Sequence, residues 1–264
     1  MRLTFLGTGT SHGIPMIGCE CAVCRSADPR NQRLRPSVLV EKDRHAVLID
    51  ATPDFRTQAL RAGLRQVDAV LVTHSHADHV LGLDDLRVFT GKDGRKMPLY
   101  GSASSLADIQ RVFPYACTDK PAWPGLPSFE FHPVEPDTEF QVAGLTCRAL
   151  PLPHGRMTVY GFVLDRAVAY LTDCNAVPPE TVGFLNQIPL LVLDALRQRP
   201  HPTHLTIADA LAVIASISPQ QALLTHLCHE IDHATVEAQL PPGVRLAHDQ
   251  LRLEVTNGEC RTLA

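Results

Sequence analysis

Ala69-Val70-Leu71-Val72-Thr73-His74-Ser75-His76-Ala77-Asp78-His79 changes character halfway along. Its first half is a short, apolar, β-branched run, the composition of a strand buried on both faces. Its second half sets three imidazoles and a carboxylate at spacings of two, two and one. A helix interior does not aim residues at that spacing towards one point, whereas a strand end followed by a turn does. Imidazole and carboxylate donors crowded on one turn predict a metal centre, and such donors suit zinc, manganese or iron. At most four ligands come from this run, so a pair of ions needs donors from elsewhere.

Three other segments repeat the same grammar. His154 follows Cys147-Arg-Ala-Leu-Pro-Leu-Pro153, Asp173 follows Val168-Ala-Tyr-Leu-Thr172, and His226 follows Ala222-Leu-Leu-Thr225. Further apolar runs at Leu3–Leu6, Val38–Val40, Ala46–Ile49, Leu190–Leu193 and Leu251–Val255 also read as strands. Helical spacing falls at Asp54–Leu64, Asp78–Phe89, Ser105–Phe113, Pro178–Ile188, Ile207–Ile217 and His233–Leu240. Thr206 with Asp209 forms a capping-box pattern, and Asp232 is placed to cap the helix after it. Early strands joined by hairpins, then strands alternating with helices, predict two sheets with helices outside them. Pro114 to Pro136 carries prolines at 114, 121, 124, 127, 133 and 136 and reads as a long irregular insertion. Proposed ligands lie on both sides of it, so residues 1–264 are expected to form a single domain.

Composition narrows the class. Apolar residues make up 45% of the 264 and charged residues 20%, as in an ordinary soluble globular protein. A formal net charge of −4 offers no basic footprint and argues against nucleic acid as the partner. The apolar run at the N-terminus is too short for a signal peptide, and none approaches the roughly 18 residues of a membrane span. A cytoplasmic location without membrane contact is therefore expected. Of eight cysteines, three crowd into Cys19-Glu-Cys21-Ala-Val-Cys24, which reads as metal binding rather than a disulfide framework. Three thiolates need one more ligand to close a tetrahedral zinc site, and His229 or Cys228 is available. His229-Glu-Ile-Asp-His233 matches the zincin string H-E-x-x-H. That chemistry needs both histidines on one helical face, yet the helix is expected to start only at Asp232. His233, with His45, His132 and His248, reads as a surface residue.

The order His-x-His-x-Asp-His, then His154, Asp173 and His226, resembles the metallo-β-lactamase superfamily. The resemblance spans Arg2 to about Val255 and implies a four-layer αββα sandwich. It implies that His74, His76 and His154 hold one divalent ion, that Asp78, His79 and His226 hold a second, and that Asp173 bridges them. Zinc or manganese is the expected metal. Asp50, closing the run Ala46–Ile49, would brace the ligand loop from behind. The Cys-x-Cys-x-x-Cys after Gly7-Thr-Gly-Thr-Ser-His-Gly-Ile-Pro15 resembles a narrower subgroup, which includes phosphodiesterases of phosphoribosyl cyclic phosphates and a quinone-cofactor biosynthesis protein. By that resemblance His229 completes a structural zinc site with Cys19, Cys21 and Cys24.

Two ions held close together lower the pKa of a water between them and clamp both oxygens of an in-line displacement, which suits a phosphodiester. The leaving alkoxide then needs a proton from a nearby general acid. His204, just before a helix start, matches the subgroup's catalytic histidine, and Asp78 is the second residue expected in a catalytic role. His201 is its rival as the acid but matches no position in the family. His12 lies in the loop with which the family approaches substrate. The expected activity is hydrolysis of a small phosphodiester, such as a phosphoribosyl cyclic phosphate, by a homodimer. A nuclease, a thioester or lactone hydrolase, and a non-catalytic metal-binding protein are the alternatives. The basic stretch Thr90–Lys96 is too short to grip RNA.

Overall fold

The computed structural model describes residues 1–90, 95–118, 125–256 and 258–263. Strands β1 (Arg2–Gly7), β2 (Ser37–Lys42), β3 (His45–Ile49), β4 (Ala69–Leu71), β5 (Met97–Gly101) and β6 (Phe129–Pro133) open the first sheet. The second sheet is built from β7 (Glu139–Val142), β8 (Leu145–His154), β9 (Met157–Leu164), β10 (Val168–Leu171), β11 (Leu190–Asp194), β12 (Gln221–Thr225) and β13 (Val244–Leu246). The chain then returns to the first sheet through β14 (Arg252–Thr256) and β15 (Glu259–Leu263). The strand orders are β15-β14-β1-β2-β3-β4-β5-β6 and β13-β12-β11-β10-β9-β8-β7.

Side-chain alternation shows why the two sheets must pack face to face. Val38, Val40, Val47 and Ile49 enter one core with Phe162, Val168, Tyr170, Leu190 and Val192 from the opposite sheet. Their neighbours Leu39, Ala46 and Leu48 point the other way, into a second core with Phe55 and Leu106. These come from helices α1 (Phe55–Ala62) and α3 (Ala103–Val112). Likewise Leu191 and Leu193 face a third core with Ala210, Ile214 and Ile217 of α5 (Ile207–Ile217). A strand covered on both faces reads as an uninterrupted apolar run, and this is what the sequence shows. The layers are therefore helix, sheet, sheet, helix, as expected of an αββα sandwich.

Topology then decides where the site must lie. β3, β4, β5 and β6 are parallel, as are β10, β11, β12 and β13. β8 is antiparallel to β9, and β9 to β10, so β8 and β10 run the same way. Asp50, Thr73, His154, Asp173, Asp194 and His226 all sit at the C-terminal ends of these strands, the edge where open α/β sheets bind ligands. Three of them, Asp50, Asp173 and His226, have left-handed backbones, with φ of 60°, 56° and 60°. Non-glycine residues hold that conformation only where the surrounding structure imposes it, and such residues cluster at functional sites.

Several elements differ from expectation. The helix expected over Asp78–Phe89 is a single turn, α2 (Ala77–Val80), followed by a 3₁₀ segment over Leu83–Phe89. At Gly82, between them, the N–H leaves the helical ladder for the Ala51 carbonyl at 2.9 Å, and the chain passes so close to the Thr52 carbonyl and Phe55 that a Cβ would collide with them. The proline-rich stretch is not wholly irregular, since β6 lies within it. β6 is an edge strand ending on Pro133, where a missing N–H costs little. Pro121, Pro124 and residues 91–94 of the basic stretch lie outside the described residues. α4 (Pro179–Phe184) and α6 (His233–Glu237) are shorter than expected, whereas α5 has its limits and its Thr206–Asp209 capping box as read. No helix among the described residues is long and apolar enough to cross a membrane.

Candidate metal-dependent active site

The predicted ligands converge. His74, His76 and His154 bring one donor atom each within 4.8 Å of one another, and so do His74, His79 and Asp173, and Asp78, His79 and His226. Asp173 stands at the centre. Its Oδ2 lies 3.3 Å from His79 Nε2 and its Oδ1 lies 3.2 Å from His226 Nε2. His79 Nε2 is also 3.4 Å from Asp78 Oδ2. Yet the Nε2 atoms of His74, His79 and His226 are buried without a hydrogen-bond partner. Leaving buried polar atoms unpaired costs about 1–3 kcal/mol each, so several of them converging on a carboxylate need a common partner. Divalent cations satisfy that requirement, and the donor set fits two of them.

The opposite ring nitrogens show how the ligands are oriented. His79 Nδ1 donates to Asp50 Oδ2 at 2.7 Å, His74 Nδ1 to Thr73 Oγ1 at 3.0 Å, and His154 Nδ1 to the Thr203 carbonyl at 2.9 Å. Each bond fixes the tautomer that turns Nε2 into the site, the usual support behind a metal-ligating imidazole. Asp50 is itself held by Thr73 N–H at 2.9 Å and Thr73 Oγ1–H at 2.7 Å. It therefore lies behind the ligands, as the resemblance implied.

Charge follows the same logic. Burial, reinforced by neighbouring His79, lowers His74 far below the usual imidazole range, so it is neutral and able to ligate. Burial would lower His79 as well, but Asp173 and Asp50 on either side raise it well above that range. Three carboxylates (Asp50, Asp78 and Asp173) thus meet in one largely buried pocket and favour positive charge there. His76 is exposed and Asp78 half-buried, which leaves the cluster open on one side, as a catalytic site requires.

His204 flanks the open side, its ring 4.9 Å from that of His154 and 4.7 Å from that of His226. Its Nδ1 donates to Asp194 Oδ2 at 2.8 Å. Asp194 was not singled out from the sequence, although it closes the apolar run Leu190–Leu193 just as Asp50 and Asp173 close theirs. Buried without residual exposure, it also accepts from Cys174 N–H at 3.0 Å. Thr73 and Thr203 were missed too, and their spacing carries no signal. His12 is exposed and lines a small cleft with His201 and His204.

Cys19, Cys21, Cys24 and His229 form a second cluster. His229 Nδ1 lies 3.2, 3.6 and 3.7 Å from the three sulfurs in that order. The Cys24 N–H donates to Cys21 Sγ at 3.4 Å. That bond, helped by Cys19, Cys24 and His229 against the burial penalty, lowers the Cys21 thiol to about 6, while burial pushes Cys24 up to about 11. One thiolate is therefore ready and another waits for a cation, so the set fits a closed tetrahedral zinc. Cys228 is not part of it; its sulfur accepts from Glu230 N–H. His229 precedes α6, so it shares no helical face with His233 and the zincin string is a coincidence. His233 is not a surface residue, however. It is 2% exposed, and its Nδ1 accepts from Arg33 Nη2 at 2.9 Å. Of the remaining histidines His45 is exposed, and His132 and His248 are half-buried.

With this geometry in place the comparisons become decisive. The model of the β-lactamase superfamily domain matches residues 45–227. This chain belongs to the metallo-β-lactamase superfamily. Within the superfamily it is similar to a solved diphosphatase of the PhnP family, at 41% identity and a TM-score of 0.89, over 96% of this chain and 97% of that one. It shares its fold with Zn²⁺-bound PqqB from Methylobacterium extorquens, at 22% identity and a TM-score of 0.78, over 96% of this chain and all of that one. Among curated relatives, an octanoyltransferase of Porphyromonas gingivalis is 40% identical over 95% of this chain. The chain spans about half the length of the first curated relatives it matches, 51% of that protein and 42% of a coenzyme PQQ synthesis protein B from Methylobacterium radiotolerans.

Proposed function

We propose that this chain is a two-metal phosphodiesterase acting on a small phosphodiester whose leaving group is an alkoxide, such as a ribose cyclic phosphate. The observation that carries the reading is the pairing of the open cluster around Asp173 with His204 held by Asp194 at 2.8 Å. His74, His76 and His154 would hold one ion, and Asp78, His79 and His226 the other, with Asp173 between them. Two divalent ions bound there would supply Lewis acidity, neutralising phosphate charge and lowering the pKa of a nucleophilic water.

The protein's own groups supply the rest. His204, charged, gives its Nε2 proton to the leaving oxygen and is left neutral with its remaining proton on Nδ1, facing Asp194. The carboxylate thereby keeps the ring oriented and stabilises the charged form before transfer. Burial, joined by His79 and His76, outweighs Asp173 and Asp78 and lowers the pKa of His204, and an anionic substrate beside the ring would act against that lowering, favouring the charged form. An acid of this kind matters for a poor leaving group and little for a good one.

The diphosphatase named among the similar structures supports phosphorus chemistry. The octanoyltransferase relative favours a second reading, thioester hydrolysis. A thiolate leaves without protonation, so that reading gives the His204–Asp194 pair nothing to do. Assay of the manganese- and zinc-loaded protein against a ribose cyclic phosphate and an octanoyl thioester tests the choice. Turnover of the diester, abolished by chelation, is the expected result; turnover of the thioester alone would overturn it.

A further inference from the structure

His201 and His204 stand three residues apart with ring centroids 5.0 Å from each other, yet their Nδ1 atoms face opposite chemistry. His204 Nδ1 meets a carboxylate, so that ring can carry two protons. His201 Nδ1 meets the Thr203 backbone N–H at 3.3 Å and the Thr203 hydroxyl at 3.2 Å. A backbone N–H only donates, so His201 Nδ1 must present a lone pair and the ring proton must reside on Nε2. A second proton on Nδ1 would oppose that N–H and break the contact. His201 is therefore a neutral ring of fixed tautomer, a hydrogen-bond donor and not a proton source. Burial, followed by the neighbouring His204 and Arg197, lowers its pKa, in keeping with this.

The donor lies in a cleft of about 180 Å³ walled by the loop Thr10–Gly13, Arg197, His201, His204 and residues 228–230. His204 is the shared wall between this cleft and the open metal cluster. A group bonded to the oxygen that His204 protonates has this cleft directly beside it. We propose that this cleft is the leaving-group subsite and that His201 is its specificity-determining residue, donating Nε2–H to an oxygen of a sugar-like leaving group. This rests on the phosphodiester reading and divides the labour of the two histidines, His204 for the proton and His201 for recognition.

The test compares cytidine 2′,3′-cyclic phosphate, whose leaving oxygen belongs to a ribose, with bis(4-nitrophenyl) phosphate, whose leaving group has no hydroxyl or ring oxygen to recognise. A neutral hydrogen bond is worth about 0.5–1.5 kcal/mol, up to roughly tenfold. His201→Ala should raise KM for the cyclic ribose phosphate by up to about tenfold with little change in kcat, and shift the aryl diester by less than about twofold. His201→Gln, whose amide can place an N–H near the ring Nε2, should recover much of the loss. A kcat loss that grows with leaving-group pKa would make His201 the acid and overturn the assignment, as would an unchanged KM on both substrates. Wild-type protein that turns over neither diester would instead remove the phosphodiester reading beneath it.

Discussion

The two donor clusters differ in their side chains, imidazoles and carboxylates in one and three thiols with one imidazole in the other, and in what surrounds them. Around Asp173, donors from four segments meet at the edge of two sheets, the Nε2 atoms of His74, His79 and His226 are buried without partners, and one side is open. Around Cys21, three sulfurs come from one short loop, a single distant histidine completes the set, and Met16 and Cys24 N–H groups bond to the sulfurs. An open set leaves room for water and substrate, whereas a closed set spends its cation on holding the chain together. The first cluster is thus suited to catalysis and the second to tying the loop that walls the cleft onto the segment after β12.

Four measurements would break or sharpen that contrast. Asp173→Ala should have the largest effect, more than the roughly 100-fold loss typical of removing even an outer-shell partner. Diester turnover should fall by orders of magnitude, and metal analysis should show fewer than two ions at this cluster while circular dichroism stays native. Full metal content with full activity would remove Asp173 from the bridge. Next, His204→Ala should lose about 10²–10⁴ in kcat on an alkyl or cyclic ribose diester and far less on an aryl diester. Equal losses on both would mean that the ring binds phosphate instead of delivering a proton.

Cys21→Ser should behave in the opposite way. Zinc per chain and thermal stability should drop, while kcat of the remaining folded protein stays within a few-fold, since closed zinc sites contribute folding energy. A mutant with unchanged zinc would show that the cysteines hold no ion. The smallest effect belongs to His233, buried against Arg33. His233 is lowered to about 3 by burial and by Arg33 and Arg30, from an ordinary value near 6.5. Its folded-state pKa is depressed, so the folded state binds fewer protons than the unfolded one over that interval. Stability from this residue is present above pH 6.5 and is lost as pH falls towards 3, by at most about 1.4 kcal/mol per pH unit. Acid titration followed by circular dichroism should be shallower for His233→Gln; identical curves would mean that His233 titrates normally.

The strands were legible because both of their faces are buried, which turns Val38–Val40 or Leu190–Leu193 into unbroken apolar runs. α5 was legible to the residue because its capping box is a local hydrogen-bond device. The break at Gly82 was not, because its N–H leaves the helical ladder for the Ala51 carbonyl, far earlier in the chain and brought close only by packing.

The site divides along the same line. The candidate donors could be read from the sequence, because imidazole and carboxylate side chains follow several apolar strands that end at one edge. So could the cysteine loop, since three thiols so closely spaced are a metal-binding pattern. Only the tertiary structure selected Asp194 as the partner of His204 and buried His233 against Arg33. It alone placed an N–H donor against His201 and a carboxylate against His204. A histidine's role depends on what its second nitrogen touches. That contact joins segments distant in sequence or a turn whose shape is imposed from outside, so no spacing along the chain encodes it.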